Sequence, residues 1–266
     1  TAAAEILTLA PAEAASKWSL SDTDADSLAP CCVMLEHFFD ITEADRLLVP
    51  MVNTRDAIIR DILREQRGKA DPFIPEIISA AENLGEKYHY DAKHARCVTD
   101  NALLLFDKLQ EFHNLPARAR LLLEIAGILH DLGLFISNEQ HHKHSRYLVR
   151  NSHIPGLSSD EVNLVSVIAR YHRKAAPRAQ HLEYASLSPE DRLLVYKLAA
   201  ILRVADALDR SHAGAVPNLR VRVANGALVL SSKSARDFTL ERWGLARKAD
   251  MFEEVFGLRV TLVGDQ

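Results

Sequence analysis

Helix-type patterning fills the sequence from residue 76 to residue 212, and this constrains the fold more than any other feature. Apolar residues recur there at helical spacing, as in the run RARLLLEIAGILHD at residues 118–131. Gly133 follows that run and is expected to cap its C-terminus. Ser158 and Glu161 have the spacing of a capping box at the start of another helix. The sequence therefore predicts a mainly α protein.

The segments on either side differ in character. In residues 1–66 we predict a helix at 31–39, a short buried strand at 46–52 and a further helix at 55–66. The run RGKADPFIP at 67–75 contains one glycine and two prolines, which is typical of a boundary. We thus expect a short N-terminal α/β segment at 1–70 and a helical domain at 71–215.

The C-terminal residues 216–266 predict a small α+β domain. Apolar and basic residues alternate at 219–223, and Asn225–Gly226 favours a tight hairpin turn into a second strand at 227–231. One helix is predicted at 239–256 and a last strand at 258–263. Three parts are therefore expected in all.

Composition narrows the class of protein. A net charge of −4 argues against general nucleic-acid binding, because phosphate neutralisation needs a basic face. Three cysteines cannot build a disulfide framework, so a reducing cytoplasm is expected. No apolar run is long enough to span a bilayer, and no signal peptide opens the chain. Thr1 rather than Met comes first, as in a processed or excised piece of a longer protein.

Chemistry-bearing side chains recur on the apolar faces of the predicted helices. A histidine and an aspartate end the apolar run at 118–131, where neither has a packing role, and an aspartate near the end of a later helix is aimed at the core. A buried, unpaired carboxylate is costly and needs a cation or a strong donor. The candidate metal ligands are His94, His130, Asp131, His144, His172 and Asp206.

Each residue also has a simpler interpretation. A single inward histidine is more often a hydrogen-bonded core residue than a ligand. Asp206 could pair with Arg203 or Arg210 instead of a metal. Several inward groups beside a helix-end His–Asp pair are harder to explain separately. Mixed imidazole and carboxylate ligands suit Mn, Fe, Zn or Mg, and the additional histidines could hold a second ion.

Five ordered segments resemble the C-terminal half of the exopolyphosphatase/guanosine pentaphosphate phosphohydrolase (Ppx/GppA) family, whose middle part looks like an HD-superfamily domain. They are YHYDAKHARCVTDNA, ILHDLGLFI, HHKHSRYLVRN, IARYHRKAAP and LRVADALDRSH. The resemblance implies His94, His130, Asp131 and Asp206 as HD ligands, with His144 and His172 as the added histidines of two-metal relatives. Residues 1–70 resemble only the closing segment of the family's actin-like half.

Local charge favours an anionic ligand. Between residues 141 and 178 there are seven Lys or Arg against two acidic residues, in a chain that is acidic as a whole. A solvated helix face is the alternative. We predict a metal-dependent phosphohydrolase acting on polyphosphate or a nucleotide phosphate, in which Asp131 orients the nucleophile and Arg173 and Lys174 steady the anion. The other hypothesis is a non-catalytic module for polyphosphate binding or dimerisation, and either allows a homodimer.

Overall fold

The structure is a computed structural model that describes residues 5–42, 46, 73–214, 216–233 and 237–264. The chain divides into two compact units, Thr1–Met51 and Val52–Gln266. The strand predicted at 46–52 and the helix predicted at 55–66 fall almost entirely outside the described residues.

Among the described residues of the first unit, two helices have defined bounds, α1 (Pro11–Trp18) and α2 (Asp22–Thr42). Helix α1 has proline in its first turn, where a missing N–H costs nothing. Helix α2 includes the helix predicted at 31–39 and extends it at both ends.

The second unit is mainly helical, as predicted. Between residues 73 and 214 the structure describes the helices α3 (Ile74–Lys87), α4 (Ala92–Lys108), α5 (Gln110–His113), α6 (Ala117–Leu129), α7 (His141–Arg150), α8 (Ser159–Arg170), α9 (Leu182–Ala185) and α10 (Pro189–Ala207). Helices α6 and α10 are buried along most of their length, because their apolar residues extend around more than one face. The predicted capping box is present: Ser158 Oγ accepts from the Glu161 N–H at 3.2 Å, and the Glu161 carboxylate accepts from the Ser158 N–H at 2.8 Å. None of the described helices is both long and apolar enough to cross a membrane.

The prediction that Gly133 caps α6 is wrong. Helix α6 ends at Leu129, and Gly133 lies inside a following 3-10 turn, Leu132–Phe135. A Cβ at this position would lie 2.1 Å from the carbonyl oxygen of His141. Glycine is therefore needed here so that the backbone after α6 can approach the start of α7.

The His113 side chain, at the end of α5, is hydrogen-bonded through both ring nitrogens, which fixes its tautomer. Its Nε2–H donates to the carbonyl oxygen of Phe106 at 2.9 Å, and its Nδ1 accepts from the backbone N–H of Leu115 at 2.9 Å. The side chain is fully buried. Burial and the nearby charge of Lys197 lower the pKa of His113 below its ordinary value, so the imidazole is held neutral.

The C-terminal residues form a three-stranded sheet in the order β1 (Arg220–Ala224), β2 (Ala227–Ser232), β3 (Arg259–Gly264). Strands β1 and β2 are antiparallel across the predicted Asn225–Gly226 turn, where both residues have positive φ, and β3 adds parallel to β2.

The single helix predicted at 239–256 is instead two helices, α11 (Thr239–Lys248) and α12 (Asp250–Phe256). At the break, the carbonyl oxygen of Lys248 accepts from the Arg203 guanidinium at 3.1 Å. The buried apolar side chains of the sheet and of these helices join the same core as α4, α6, α8 and α10. The three-part division at residues 70 and 215 stays a prediction.

Candidate metal centre

Asp131 lies between two pairs of histidines. Its Oδ2 is 3.8 Å from Nε2 of His94 and 3.6 Å from Nε2 of His130. Its Oδ1 is 3.2 Å from Nε2 of His141 and 3.3 Å from Nε2 of His172. Helices α4, α6, α7 and α8 therefore all end or begin around one carboxylate.

Backbone carbonyls fix the tautomer of three of these imidazoles. His130, His141 and His172 each place Nδ1 on the carbonyl oxygen three residues earlier, at 2.7, 3.1 and 2.7 Å. A carbonyl oxygen can only accept, so Nδ1 is the donor and Nε2 presents a lone pair to Asp131. One nitrogen of the Arg173 guanidinium lies against the His141 ring, 3.2 Å from Nδ1 and 3.0 Å from Nε2.

A carboxylate fixes the fourth imidazole. Asp209 Oδ2 lies 2.8 Å from Nδ1 of His94, and its Oδ1 accepts from the backbone N–H of Gly214 at 2.8 Å. A carboxylate only accepts, so Nδ1 of His94 is the donor and Nε2 carries a lone pair like the other three. Metal-binding histidines typically donate their second ring nitrogen to a carbonyl or carboxylate in this way.

Several atoms at the centre of the cluster lack hydrogen-bond geometry to any partner in the described part of the chain. They are Nε2 of His94, Nε2 of His130 and Oδ1 of Asp131. The two histidines are only 1% and 0% exposed. An unsatisfied buried polar group costs about 1–3 kcal/mol. Converging lone pairs and a carboxylate fit a divalent cation.

The pKa shifts agree with a cation-attracting cluster. Burial and the neighbouring His130 lower the pKa of His172 well below its ordinary value, which keeps its lone pair free. Burial raises the pKa of the Asp131 carboxyl, but the imidazoles of His130, His141 and His172 lower it by more, so Asp131 stays ionised. Burial likewise lowers the pKa of His94, but the hydrogen bond to Asp209 and the surrounding carboxylates raise it by more.

Asp206 lies at the edge of the cluster near the C-terminal end of α10. Its Oδ1 is 3.8 Å from Nε2 of His94, and its Oδ2 contacts the ammonium of Lys248. Burial raises the pKa of Asp206, but the charges of Lys248 and of the nearby imidazoles lower it by more. The pKa of Asp206 therefore lies well below the ordinary value. The cation beside Asp206 is thus Lys248, and the Arg203 guanidinium binds backbone carbonyls and Asp250 instead.

Within the described residues, two sets of potential ligand atoms lie close together. One set is His94, His130 and Asp131, and the other is Asp131, His141 and His172. His144 belongs to neither of these sets. Its Cβ faces the position where a Cβ on Gly133 would stand. The histidine of HHKHSR that reaches Asp131 is His141, at the start of α7. The other predicted ligands lie at the cluster, with Asp206 at its rim.

The sequence reasoning missed two residues of the site, His141 and Asp209. Helical spacing alone does not choose among the histidines of α7, because His141 and His144 are one turn apart. Asp209 could have been found, because it follows Asp206 by three residues at the same helix end.

A cavity of about 770 Å³ opens beside Asp131 and carries five cationic side chains, Arg173, Lys174, Arg210, Arg247 and Lys248. Of the seven basic residues counted at 141–178, only Arg173 and Lys174 line it. Arg170, for example, pairs with Glu183 at 2.9 Å instead. The cations that complete the wall come from α11 and from the end of α10.

Fold and geometry together define a helical domain with a histidine–carboxylate cluster beside a basic cavity. Residues 78–248 match the sequence model of the Ppx/GppA phosphatase family, domain III, and the chain belongs to that family. It is 31% identical over 147 residues to a guanosine-5'-triphosphate,3'-diphosphate pyrophosphatase of Pseudoalteromonas translucida, a match covering 54% of this chain and 29% of the relative. It is 30% identical over 156 residues to the protein of that name from Aeromonas hydrophila, covering 58% and 31%. These matches span less than a third of the relatives' length.

Proposed function

We propose that the protein is a metal-dependent phosphohydrolase of the HD type that cleaves an anhydride or ester bond of a polyphosphate or nucleotide phosphate. The observation that carries the proposal is the set of four imidazoles whose Nδ1 atoms are all committed to acceptors. Their Nε2 lone pairs converge on one ionised carboxylate, Asp131. Membership of a phosphatase family and the names of the relatives support the same class of reaction.

The residues that would hold metal form two groups that share Asp131. His94, His130 and Asp206 face one side of this carboxylate, and His141 and His172 face the other. We therefore propose one or two ions, drawn from Mn, Fe, Mg or Zn, with His141 taking the place first predicted for His144. Bound there, a divalent ion would supply Lewis-acid polarisation of a phosphate oxygen and activation of a water.

The chain's own residues would bind and orient the phosphate. Arg173 and Lys174 follow His172 directly and line the cavity, so a phosphate near the cluster meets both cations. The planar Arg173 guanidinium can donate to two phosphate oxygens, whereas Lys174 is a point charge on a flexible stem. Asp131, held ionised by its imidazole neighbours, is placed to orient a nucleophile at the same point.

A second candidate is a non-catalytic module for polyphosphate binding or dimerisation. It is favoured by one observation: the matches cover less than a third of the relatives' length, so the activity of the whole relatives need not reside in this part. Residence in the cytoplasm and homodimer formation stay predictions under both candidates.

The experiment combines metal analysis with phosphate release. Protein from medium supplemented with Mn and Fe is expected to contain near-stoichiometric metal, and Asp131→Ala is expected to lose it. Asp107→Ala is the matched control, because Asp107 is half exposed and pairs with Arg120 on the outer face of the helices. Tripolyphosphate and nucleotides are then assayed for phosphate release with and without chelator. Metal-free wild-type protein would contradict the proposal, and bound metal without turnover would favour the module.

A further inference from the structure

The wall of the cavity contains an aromatic ring for which the phosphate chemistry has no use. Trp243, on α11, lines the cavity and is 52% exposed. The Arg247 guanidinium lies over its ring, 4.8 Å from the centroid. An indole face exposed inside a concave, charged cavity is placed to contact a ligand that enters it.

Helix α11 is held firmly against the helix that carries Asp206. At Gly244 an added Cβ would lie 3.2 Å from the carbonyl oxygen of Ala207, so the two helices touch backbone to backbone. Lys248 contacts Asp206, and the Arg203 guanidinium binds the Lys248 carbonyl oxygen at 3.1 Å. The indole of Trp243 is therefore positioned relative to the metal cluster by packing and by two polar contacts.

A bare polyphosphate gives the indole no role. The face of an aromatic ring carries partial negative charge, so it attracts cations and stacks with planar groups but does not attract phosphate oxygens. Lys248 on the same helix already supplies attraction for phosphate. A cavity of about 770 Å³ is also of the size that holds a whole small ligand, well beyond a single phosphate group.

We propose that Trp243 and Arg247 form a stacking subsite for the base of a nucleotide, whose phosphates extend toward Arg173 and the cluster around Asp131. The ligand of the cavity is then a nucleotide in preference to a bare polyphosphate. This inference rests on the proposed function only for the placement of the phosphates near the cluster around Asp131. Because every base has a flat π face, stacking of this kind tolerates both adenine and guanine.

The test compares three ligands that share a methylene-bridged diphosphorus group, one without a nucleoside and two with one. Methylenediphosphonate and the α,β-methylene analogues of ADP and GDP are titrated calorimetrically into wild type in the presence of Mn²⁺. The variants are Trp243→Ala, which removes the ring, Trp243→Phe, which keeps a smaller one, and Trp18→Ala in the first unit as the matched control. Circular dichroism and the thermal midpoint establish that each variant folds.

Wild type is expected to bind the nucleotide analogues more tightly than methylenediphosphonate. Trp243→Ala should weaken the nucleotide analogues by about 5- to 100-fold, the effect of losing one base–aromatic stack, and should leave methylenediphosphonate unchanged. Trp243→Phe should recover part of the loss. Equal weakening of all ligands, or no weakening of the nucleotide analogues, overturns the subsite while metal-dependent phosphate release still upholds the proposed function. Wild type that binds none of the ligands overturns both.

Discussion

Changing Asp209 to asparagine tests whether the lone pairs of the cluster serve a metal. Asp209 is 1% exposed and its two carboxylate oxygens accept from Nδ1 of His94 and from the N–H of Gly214, each at 2.8 Å. An amide has one acceptor and one donor end. If its oxygen keeps the Gly214 N–H, its NH₂ faces Nδ1 of His94. The imidazole must then move its proton to Nε2, which points at Asp131 and Asp206.

The expected loss follows from that tautomer change. A proton on Nε2 of His94 removes one of the lone pairs available to a metal, and changing such an outer-shell partner typically weakens metal binding about 10- to 100-fold, or about 1.4–2.7 kcal/mol. In the opposite amide orientation, NH₂ faces the Gly214 N–H in a buried site. Two donors then meet, and the metal-free protein loses about 1–3 kcal/mol of stability.

Both quantities are measurable on the same preparations. Competition with a chromophoric chelator gives the affinity for Mn²⁺ or Zn²⁺, thermal unfolding with excess chelator gives metal-free stability, and ¹⁵N shifts of the imidazoles report the tautomer of His94. Asp107→Asn is the control, because it removes a carboxylate from an exposed ion pair. Metal affinity within threefold of wild type, together with an unchanged metal-free midpoint, would refute the assignment of Asp209 as the partner that orients His94.

Three further predictions use other parts of the second unit. Arg173→Ala should weaken tripolyphosphate binding by about 1.5–3 kcal/mol, the range for a hydrogen bond to a charged group, and calorimetry that shows no change would remove Arg173 from the site. Gly133→Ala should destabilise the protein by about 2–4 kcal/mol, because the added Cβ would meet backbone atoms at 2.1 and 2.4 Å. Gly226→Ala should cost only about 1–2 kcal/mol, because its φ is 72° but no atom lies within 4 Å of the added Cβ. Denaturant unfolding that ranks the two variants in the reverse order would contradict this. The pKa of His113 in the folded protein lies below the unfolded value of about 6.5, so the unfolded chain binds more protons in acid. The free energy of unfolding should therefore be highest above about pH 6.5, as far as His113 determines it, and should fall as the pH decreases toward the lowered folded pKa. The difference in this slope between wild type and His113→Gln isolates the effect, and parallel pH profiles would exclude it.

Much of the fold is predictable from local patterns. The apolar run at 118–131 gives both ends of α6 to within two residues, and the Ser158–Glu161 capping box gives the start of α8. The Asn225–Gly226 pair gives the hairpin, because both positions need positive φ. The break between α11 and α12 was not predictable in this way, because the contact made there comes from a distant helix: the Arg203 side chain donates to the Lys248 carbonyl oxygen.

The residues of the site also divide into those that local patterns predict and those that depend on packing between helices. His94, His130, Asp131 and His172 were predictable because each is a polar residue on an apolar face or at the end of a buried helix. The choice of His141 over His144 depends on how α7 is turned against the backbone at Gly133, which spacing does not encode. The cationic wall was predictable only in part for a related reason. Its members come from three separate stretches of sequence, and a count of charges along one stretch finds only Arg173 and Lys174.

The energetics of the cluster bear on the choice between enzyme and module. Three buried atoms at its centre have no hydrogen-bond partner in the described residues, and each buried polar atom that stays unsatisfied costs about 1–3 kcal/mol. Even one such cost is a noticeable part of the roughly 5–15 kcal/mol that holds a typical domain folded. A cation that binds only the folded chain offsets this loss, and it adds stability in proportion to the logarithm of its concentration over its Kd. A purely structural or binding module with this cluster would therefore need metal as much as an enzyme would. Metal content tests the site under both candidates, so only metal-dependent release of phosphate separates catalysis from binding.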